Sequence, residues 1–163
     1  MPILSLDAIE QLATDALVRC GADPVQAEPA ANSIREAEAE GIRNVGLSYL
    51  PTYLLHLTCG KIVGSAVPVV HPADGSIIKA DAGFGFSDDR GGPPGVGQCF
   101  IAIDPTRSAP GFVDRLEVLF ADLLSETGVR LPGDRRIAFR AQAERDGVEV
   151  PADLIATISD YGR

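Results

Sequence analysis

The stretch Gly41-Ile42-Arg43-Asn44-Val45-Gly46-Leu47-Ser48-Tyr49-Leu50-Pro51-Thr52-Tyr53 decides how the chain is read. Gly41 closes one helical pattern, and Pro51 sits in the first turn of the next. The helix beyond it is expected over residues 48–58, with Leu50, Tyr53, Leu54 and Leu57 on its apolar face and Gly60 as its stop. Before the stretch, Asp23-Pro24-Val25-Gln26 reads as a helix start: Asp23 caps, Pro24 takes the first helical position, and Gln26 completes a capping box. Ala27, Ala30, Ala31, Ile34 and Ala37 then make a stripe of small residues that lets another helix approach closely. Before that helix comes another. Ser5 can cap it, Leu6, Ile9, Leu12, Ala13, Ala16, Leu17 and Cys20 recur at helical spacing, and Gly21 suits a left-handed stop.

Beyond Ala66 the pattern changes. Residues 67–70 and 76–80 read as short strands around a turn at Asp74-Gly75. Residues 82–97 hold six Gly, two Pro and the charged run Asp88-Asp89-Arg90, which marks a linker or irregular loop. Cys99-Phe100-Ile101-Ala102-Ile103 reads as a short buried strand. Phe112, Leu116, Leu119, Phe120, Leu123 and Leu124 form the most amphipathic helical pattern in the chain; its stripe is read as core, with a subunit contact as the alternative. Gly128 stops it. A more polar helix is expected over 135–146, ended by Gly147, and a last one opens at Pro151 and carries Leu154, Ile155 and Ile158. The chain carries no internal repeat.

With 163 residues, 45% hydrophobic and 23% charged, the chain can bury one domain's core. A net charge of −9 repels phosphate backbones and argues against nucleic acid as a partner. The group Arg135, Arg136, Arg140 and Arg145 is offset by Asp134, Glu144 and Asp146, so it reads as a solvated helix face. No apolar run is long enough to cross a bilayer, and Met1-Pro2-Ile3-Leu4-Ser5-Leu6-Asp7 lacks the basic start of a secretory signal. Cys20, Cys59 and Cys99 lie far apart in apolar surroundings, which points to buried free thiols in a reducing cytoplasm rather than a metal site.

Three ordered blocks resemble the type-2 malate/L-lactate dehydrogenase family. The first is the stretch at 41–53 together with Gly60-Lys61-Ile62. It resembles the family's early motif, where a Ser-His-Gly triplet leads into a helix with Leu-Pro and Tyr. The second is Asp81-Ala82-Gly83-Phe84-Gly85, similar to the start of the family's central domain. The third is Gly97-Gln98-Cys99-Phe100-Ile101-Ala102-Ile103-Asp104-Pro105, followed by Arg130-Leu131-Pro132-Gly133 and Gly147-Val148. It resembles the family's closing segment. Each block alone is weakly specific, while the ordered set is fairly specific.

The resemblance implies a fold outside the Rossmann class and reduction of 2-oxo acids or cyclic 2-imino acids by NADH or NADPH. Two departures bear on that activity. The family carries a large central domain with most cofactor contacts between the second and third blocks, and residues 86–96 stand in its place. The Ser-His-Gly triplet falls on Asn44-Val45-Gly46, so the proton-donating His becomes Val45, which has no titratable proton. The Arg that follows in the family falls on Tyr49.

The remaining candidates are weaker. His56 and His71 are the only histidines. His56 lies off the helical stripe and is read as a partly exposed structural residue, His71 as a loop residue before Pro72. The glycines at 83–97 match neither GxxxxGK[ST] nor a strand-to-helix GxGxxG, so no cofactor-binding residue is assigned. Asp74, Asp81, Asp88 and Asp89 lack EF-hand spacing, and no metal site is assigned. Ser48 and Cys59 lack an evident base.

These readings predict a single α+β domain over 1–163, built from an N-terminal segment (1–82), a Gly/Pro-rich junction (83–97) and a C-terminal segment (98–163). N-terminal helices pack on C-terminal ones, with a small sheet from 67–70, 76–80 and 99–103. The expected function is a reduced oxidoreductase-family member, without the NAD(P)-binding domain, acting as a scaffold or binding subunit and needing no cofactor itself. The alternatives are cofactor-free chemistry on a small acid, or a subunit completed by a partner chain. Catalytic residues are unassigned. A pocket at Asn44, Tyr49 and Tyr53 is the candidate site, a small carboxylic acid the candidate ligand, and a homodimer or a partner subunit the expected assembly.

Overall fold

The computed structural model describes residues 1–67, 69–70, 80–81, 101, 104–105 and 109–162. Strand β1 (Ile3–Leu4) leads into helix α1 (Leu6–Arg19). Helix α2 (Pro24–Ala39) follows, then two single 3-10 turns (Arg43–Val45 and Leu47–Tyr49), then α3 (Leu50–Thr58). Strands β2 (Val69–Val70) and β3 (Ala80–Asp81) come next. Helices α4 (Phe112–Ser125) and α5 (Asp134–Asp146), strand β4 (Val148–Glu149) and helix α6 (Ala152–Asp160) complete the order. The architecture is mainly helical, with two small antiparallel strand pairs among the described residues.

The core is the α1–α2 hairpin and what closes over it. Ser5 adopts extended geometry and its hydroxyl accepts from the Ala8 amide at 3.1 Å, capping α1 as its residue type suggests. Ile9, Ala13 and Ala16 of α1 and Ala27, Ala31 and Ile34 of α2 are almost wholly excluded from solvent. Alanine on both sides brings the backbones close, and Ile9 and Ile34 fill the end of the seam away from the turn. At the end of α1, Gly21 has φ +102°, and the Ala22 amide reaches back to the Leu17 carbonyl at 3.0 Å. That bond needs a left-handed residue at position 21, a conformation glycine adopts at little cost.

The two ends of the chain meet across this hairpin. β1 pairs with β4 antiparallel, Ile3 opposite Glu149 and Leu4 opposite Val148. The Val150 amide extends the ladder to the Pro2 carbonyl at 3.0 Å. Helix α6 packs on α1 and α3 and buries Ile158 completely. Arg19 of α1 donates to the Ile158 carbonyl at 2.9 Å and to the Tyr161 carbonyl at 2.8 Å, satisfying the end of α6 from outside. Helix α5 lies on α2. Arg140 spans Glu36 at 2.6 Å and Glu40 at 2.9 Å, and Arg136 reaches Glu40 at 3.4 Å. The packing of N-terminal on C-terminal helices thus stands as expected.

Several expectations need correction. Asp23 makes no side-chain cap bond, and Gln26 turns away from a capping box to donate its amide to the Ala66 carbonyl. The segment after α3 folds back over the α1–α2 turn, with the Asp23 amide bonded to the Gly64 carbonyl at 2.9 Å, and offers Gln26 that acceptor. The third helix starts at Leu50, because residues 47–49 form a 3-10 turn. β2 pairs with β3, Val69 opposite Asp81 and Val70 opposite Ala80. Residues 99–100 and 102–103 of the expected third strand, His71 and the 83–97 junction lie outside the described residues. The β1–β4 pair was not expected from sequence. Cys20 is buried but Cys59 is exposed. The apolar stripe of α4 is not core: Phe112, Leu119, Leu123 and Leu124 are all exposed, and Leu116 and Phe120 are only half-buried.

Candidate functional site

The 41–53 stretch forms a tight double turn between α2 and α3, organised from beneath by one carboxylate. Glu38, in the last turn of α2, is buried, and its Oε1 accepts the Leu47 amide at 2.8 Å. A Cβ on Gly46 would lie against that oxygen and 2.8 Å from the carboxyl carbon, so any larger residue would force the carboxylate aside. Gly46 has φ −89°, which any residue adopts. What the carboxylate demands of this position is space. The Ser48 hydroxyl donates to the Arg43 carbonyl, which also accepts the Gly46 amide at 3.2 Å.

On this frame Asn44 and Val45 are exposed at the surface. Tyr49 and Tyr53, one helical turn apart, meet edge to face, with ring centroids 5.0 Å apart and planes at 79°. Tyr49 is exposed and Tyr53 half-buried. Burial, and then the neighbouring Tyr49, push the Tyr53 phenol above its ordinary value. Tyr53 therefore stays protonated at neutral pH and can donate a hydrogen bond. Of the three candidate residues, the structure brings the two tyrosines into contact and leaves Asn44 on the preceding turn.

His56 lies one turn beyond Tyr53 and is buried, not partly exposed as expected. Its carbonyl accepts the Lys61 amide at 2.8 Å and the Ile62 amide at 3.1 Å, fixing the end of α3. Glu38 is the organising residue that sequence reasoning missed. The signal was present: Ala27, Ala31, Ile34 and residue 38 share one buried helical face, and an acid on such a face must find a donor. Among the described residues, no three metal-ligating side chains gather.

The Asn44 amide and the Tyr53 hydroxyl are neutral donors of the kind that hold a carboxylate. Val45 supplies no proton to a reacting carbonyl or imine.

No family model matches the chain. It is 34% identical over 76 residues to a (2R)-3-sulfolactate dehydrogenase (NADP(+)) of Chromohalobacter salexigens, covering 47% of this chain and 22% of that protein. It is 42% identical over 76 residues to a Delta(1)-pyrroline-2-carboxylate reductase of Ancylobacter novellus, 44% of this chain and 22% of the other. A Delta(1)-pyrroline-2-carboxylate/Delta(1)-piperideine-2-carboxylate reductase of Pseudomonas aeruginosa is 36% identical over 107 residues, 60% of this chain and 31% of its own length. Among solved structures, the delta1-piperideine-2-carboxylate reductase of Pseudomonas syringae pv. tomato superposes with a TM-score of 0.50 at 29% identity, covering 53% of this chain and 26% of that one. The chain thus spans less than a third of the length of these oxidoreductases.

Proposed function

This chain is a relative of the type-2 malate/L-lactate dehydrogenase family, and from that premise we propose that it keeps the family's outer scaffold without hydride transfer. On this reading the central cofactor domain has been replaced by the short junction at 83–97, and the chain acts as a scaffold or binding subunit in the cytoplasm. The observation that carries the reading is Val45, held at the surface by the turn that Glu38 organises, where the resemblance calls for a proton-donating His. The direct closure of the N-terminal hairpin by β4 and α6 supports it further. An inserted domain enters and leaves at neighbouring points, so the remainder can close without it. The unpaired Cys20 and exposed Cys59 support a reducing compartment.

The test is a titration of the pure protein with NADH and NADPH, followed by turnover assays with 2-oxo acids and cyclic 2-imino acids. No binding in the micromolar range and no oxidation of the nucleotide are expected. Val45→His should remain equally inactive, because a proton donor alone supplies no hydride. Nucleotide oxidation by the unaltered chain, free of any other subunit, overturns the reading.

The Asn44 and Tyr53 donors favour a second reading, in which the turn binds a small carboxylic acid for cofactor-free chemistry or within an enzyme completed by a partner chain. On that reading Asn44→Ala and Tyr53→Phe weaken binding of a 2-oxo acid.

A further inference from the structure

The last turn of α2 is gripped from two sides. On its inner side Glu38 holds the Leu47 amide and so sets the turn that carries Asn44 and Val45. Glu36 and Glu40 stand on the opposite side, roughly 200° round the helix from Glu38, and face α5. Glu36 divides its carboxylate, one oxygen on Arg35 at 2.5 Å and the other on Arg140 at 2.6 Å. Glu40 divides its own between Arg140 at 2.9 Å and Arg136 at 3.4 Å. Phe139 of α5 adds an apolar contact: a Cβ on Gly41 would lie 3.3 Å from its ring. Gly41 and Ile42 close α2 through amide bonds to the Glu38 carbonyl at 3.1 Å and the Ala37 carbonyl at 2.8 Å. The two grips therefore share one short piece of backbone, residues 36–42.

Burial contributes little to the outer grip. Ala143 is the one buried residue of α5, while Ile137 is 69% and Phe139 45% exposed. Around Gly133, at the start of α5, no atom lies within 4 Å of where a Cβ would stand, whereas Gly147, at its end, is packed against Leu4. The helix is unhindered at one end and anchored beside β4 at the other. An element held by half-exposed ion pairs and one ring opens far more readily than the whole fold.

We infer that α5 is an ionic clasp on the candidate turn. Docked, it locks the last turn of α2, and with it Glu38 and the Leu47 amide. When ions compete for Arg136 and Arg140, the clasp opens and the turn loosens. Once α5 leaves, Glu36 keeps Arg35, which also faces Glu10 at 3.4 Å and Asp7 at 3.9 Å, but Glu40 loses both its cations. An unpaired negative charge then stands at a helix C-terminus, where the macrodipole disfavours it and fraying relieves it. The coupling rests on the functional reading only in taking this turn as the binding surface.

Amide hydrogen exchange of the full chain, read residue by residue by NMR, tests it. The Ala22 amide, bonded to the Leu17 carbonyl at the opposite end of the hairpin, is the internal reference. Relative to it, the amides of α5, Ile42 and Leu47 should exchange roughly five- to tenfold faster in molar salt than in low salt. Arg140→Ala should give a similar increase already in low salt, and salt should then add little. Phe139→Ala, which leaves every charge in place, should give a smaller increase at the same amides. A Leu47 amide that keeps its rate while α5 speeds up overturns the inference, because α5 would then leave without loosening the turn. An α5 indifferent to both salt and Arg140→Ala overturns it too, as does an equal rise at Ala22, the mark of global destabilisation. Nucleotide oxidation by a protein that shows the coupled exchange would remove the functional reading and leave this one standing.

Discussion

At the scale of single residues, the turn between α2 and α3 depends on one acid and one glycine acting together. Glu38 is a buried carboxylate whose cost is offset by the Leu47 amide, and Gly46 leaves the space that lets it reach there. Gly46→Ala should destabilise the protein by about 1–3 kcal/mol, since the added methyl forces the carboxylate aside in a packed site. Glu38→Ala should cost a similar amount, because a buried amide is left without its acceptor, again about 1–3 kcal/mol. The two losses should not add. With the carboxylate gone the methyl has room, and the double variant should be little worse than Glu38→Ala alone. Urea denaturation of the four proteins measures this coupling, and strict additivity would contradict the geometry. Cys20 is a different kind of buried residue. Burial pushes its thiol up, against a weaker opposing pull from Arg19, so it stays protonated and unreactive at neutral pH.

At the scale of elements, α5 is held to α2 by charge more than by burial. Along α5 only Ala143 is buried, whereas Arg140 reaches two glutamates of α2 and Arg136 reaches one of them. The hydrogen bond from Arg140 is the main cause that holds the Glu40 carboxyl below its ordinary value. A depressed carboxylate stabilises the fold above the unfolded-state value, and that contribution is lost as pH falls through the lower folded value. Arg140→Ala should therefore lower the melting temperature slightly at neutral pH and have no effect in strong acid. Molar salt should shrink the difference, because these groups are open to solvent. Melting curves across pH and salt check it; a loss that persists unchanged in strong acid would show that packing of the arginine stem, not charge, holds the two helices.

At the scale of the whole molecule, the fold is closed by its ends. β1 and β4 join residues from opposite ends of the chain, and Gly147 makes the corner that brings β4 into place. Gly147 has φ +76°, and a Cβ there would lie 2.7 Å from the Leu4 carbonyl oxygen. Gly147→Ala meets backbone strain and a backbone clash together, and about 2–3 kcal/mol of lost stability is expected. Because α6 beyond it covers α1 and α3, the loss should appear in one cooperative unfolding transition followed by helical signal. Separate early melting of the C-terminal helices would show that the ends do not form one unit with the hairpin.

The helices of the hairpin were legible in the sequence because their information is local: Ser5 as a cap, Gly21 and Gly41 as stops, and alanines and isoleucines at helical spacing between them. The relationship to the reductases was legible too, since short ordered motifs survive in sequence. Other features depended on partners distant along the chain. Two-residue strands such as Ile3–Leu4 carry no periodic signal and exist only because Val148–Glu149 arrives beside them. Gln26 suited a capping box, and only the return of Ala66 gave it a better acceptor. Glu38 stands on the buried face of its helix already in the sequence, but only the turn folding over it supplies the Leu47 amide as its donor. The stripe on α4 announced that a surface must be covered, but hydrophobic spacing is the same whether the covering chain is this one or another. Burial in three dimensions decided that this chain leaves the stripe exposed.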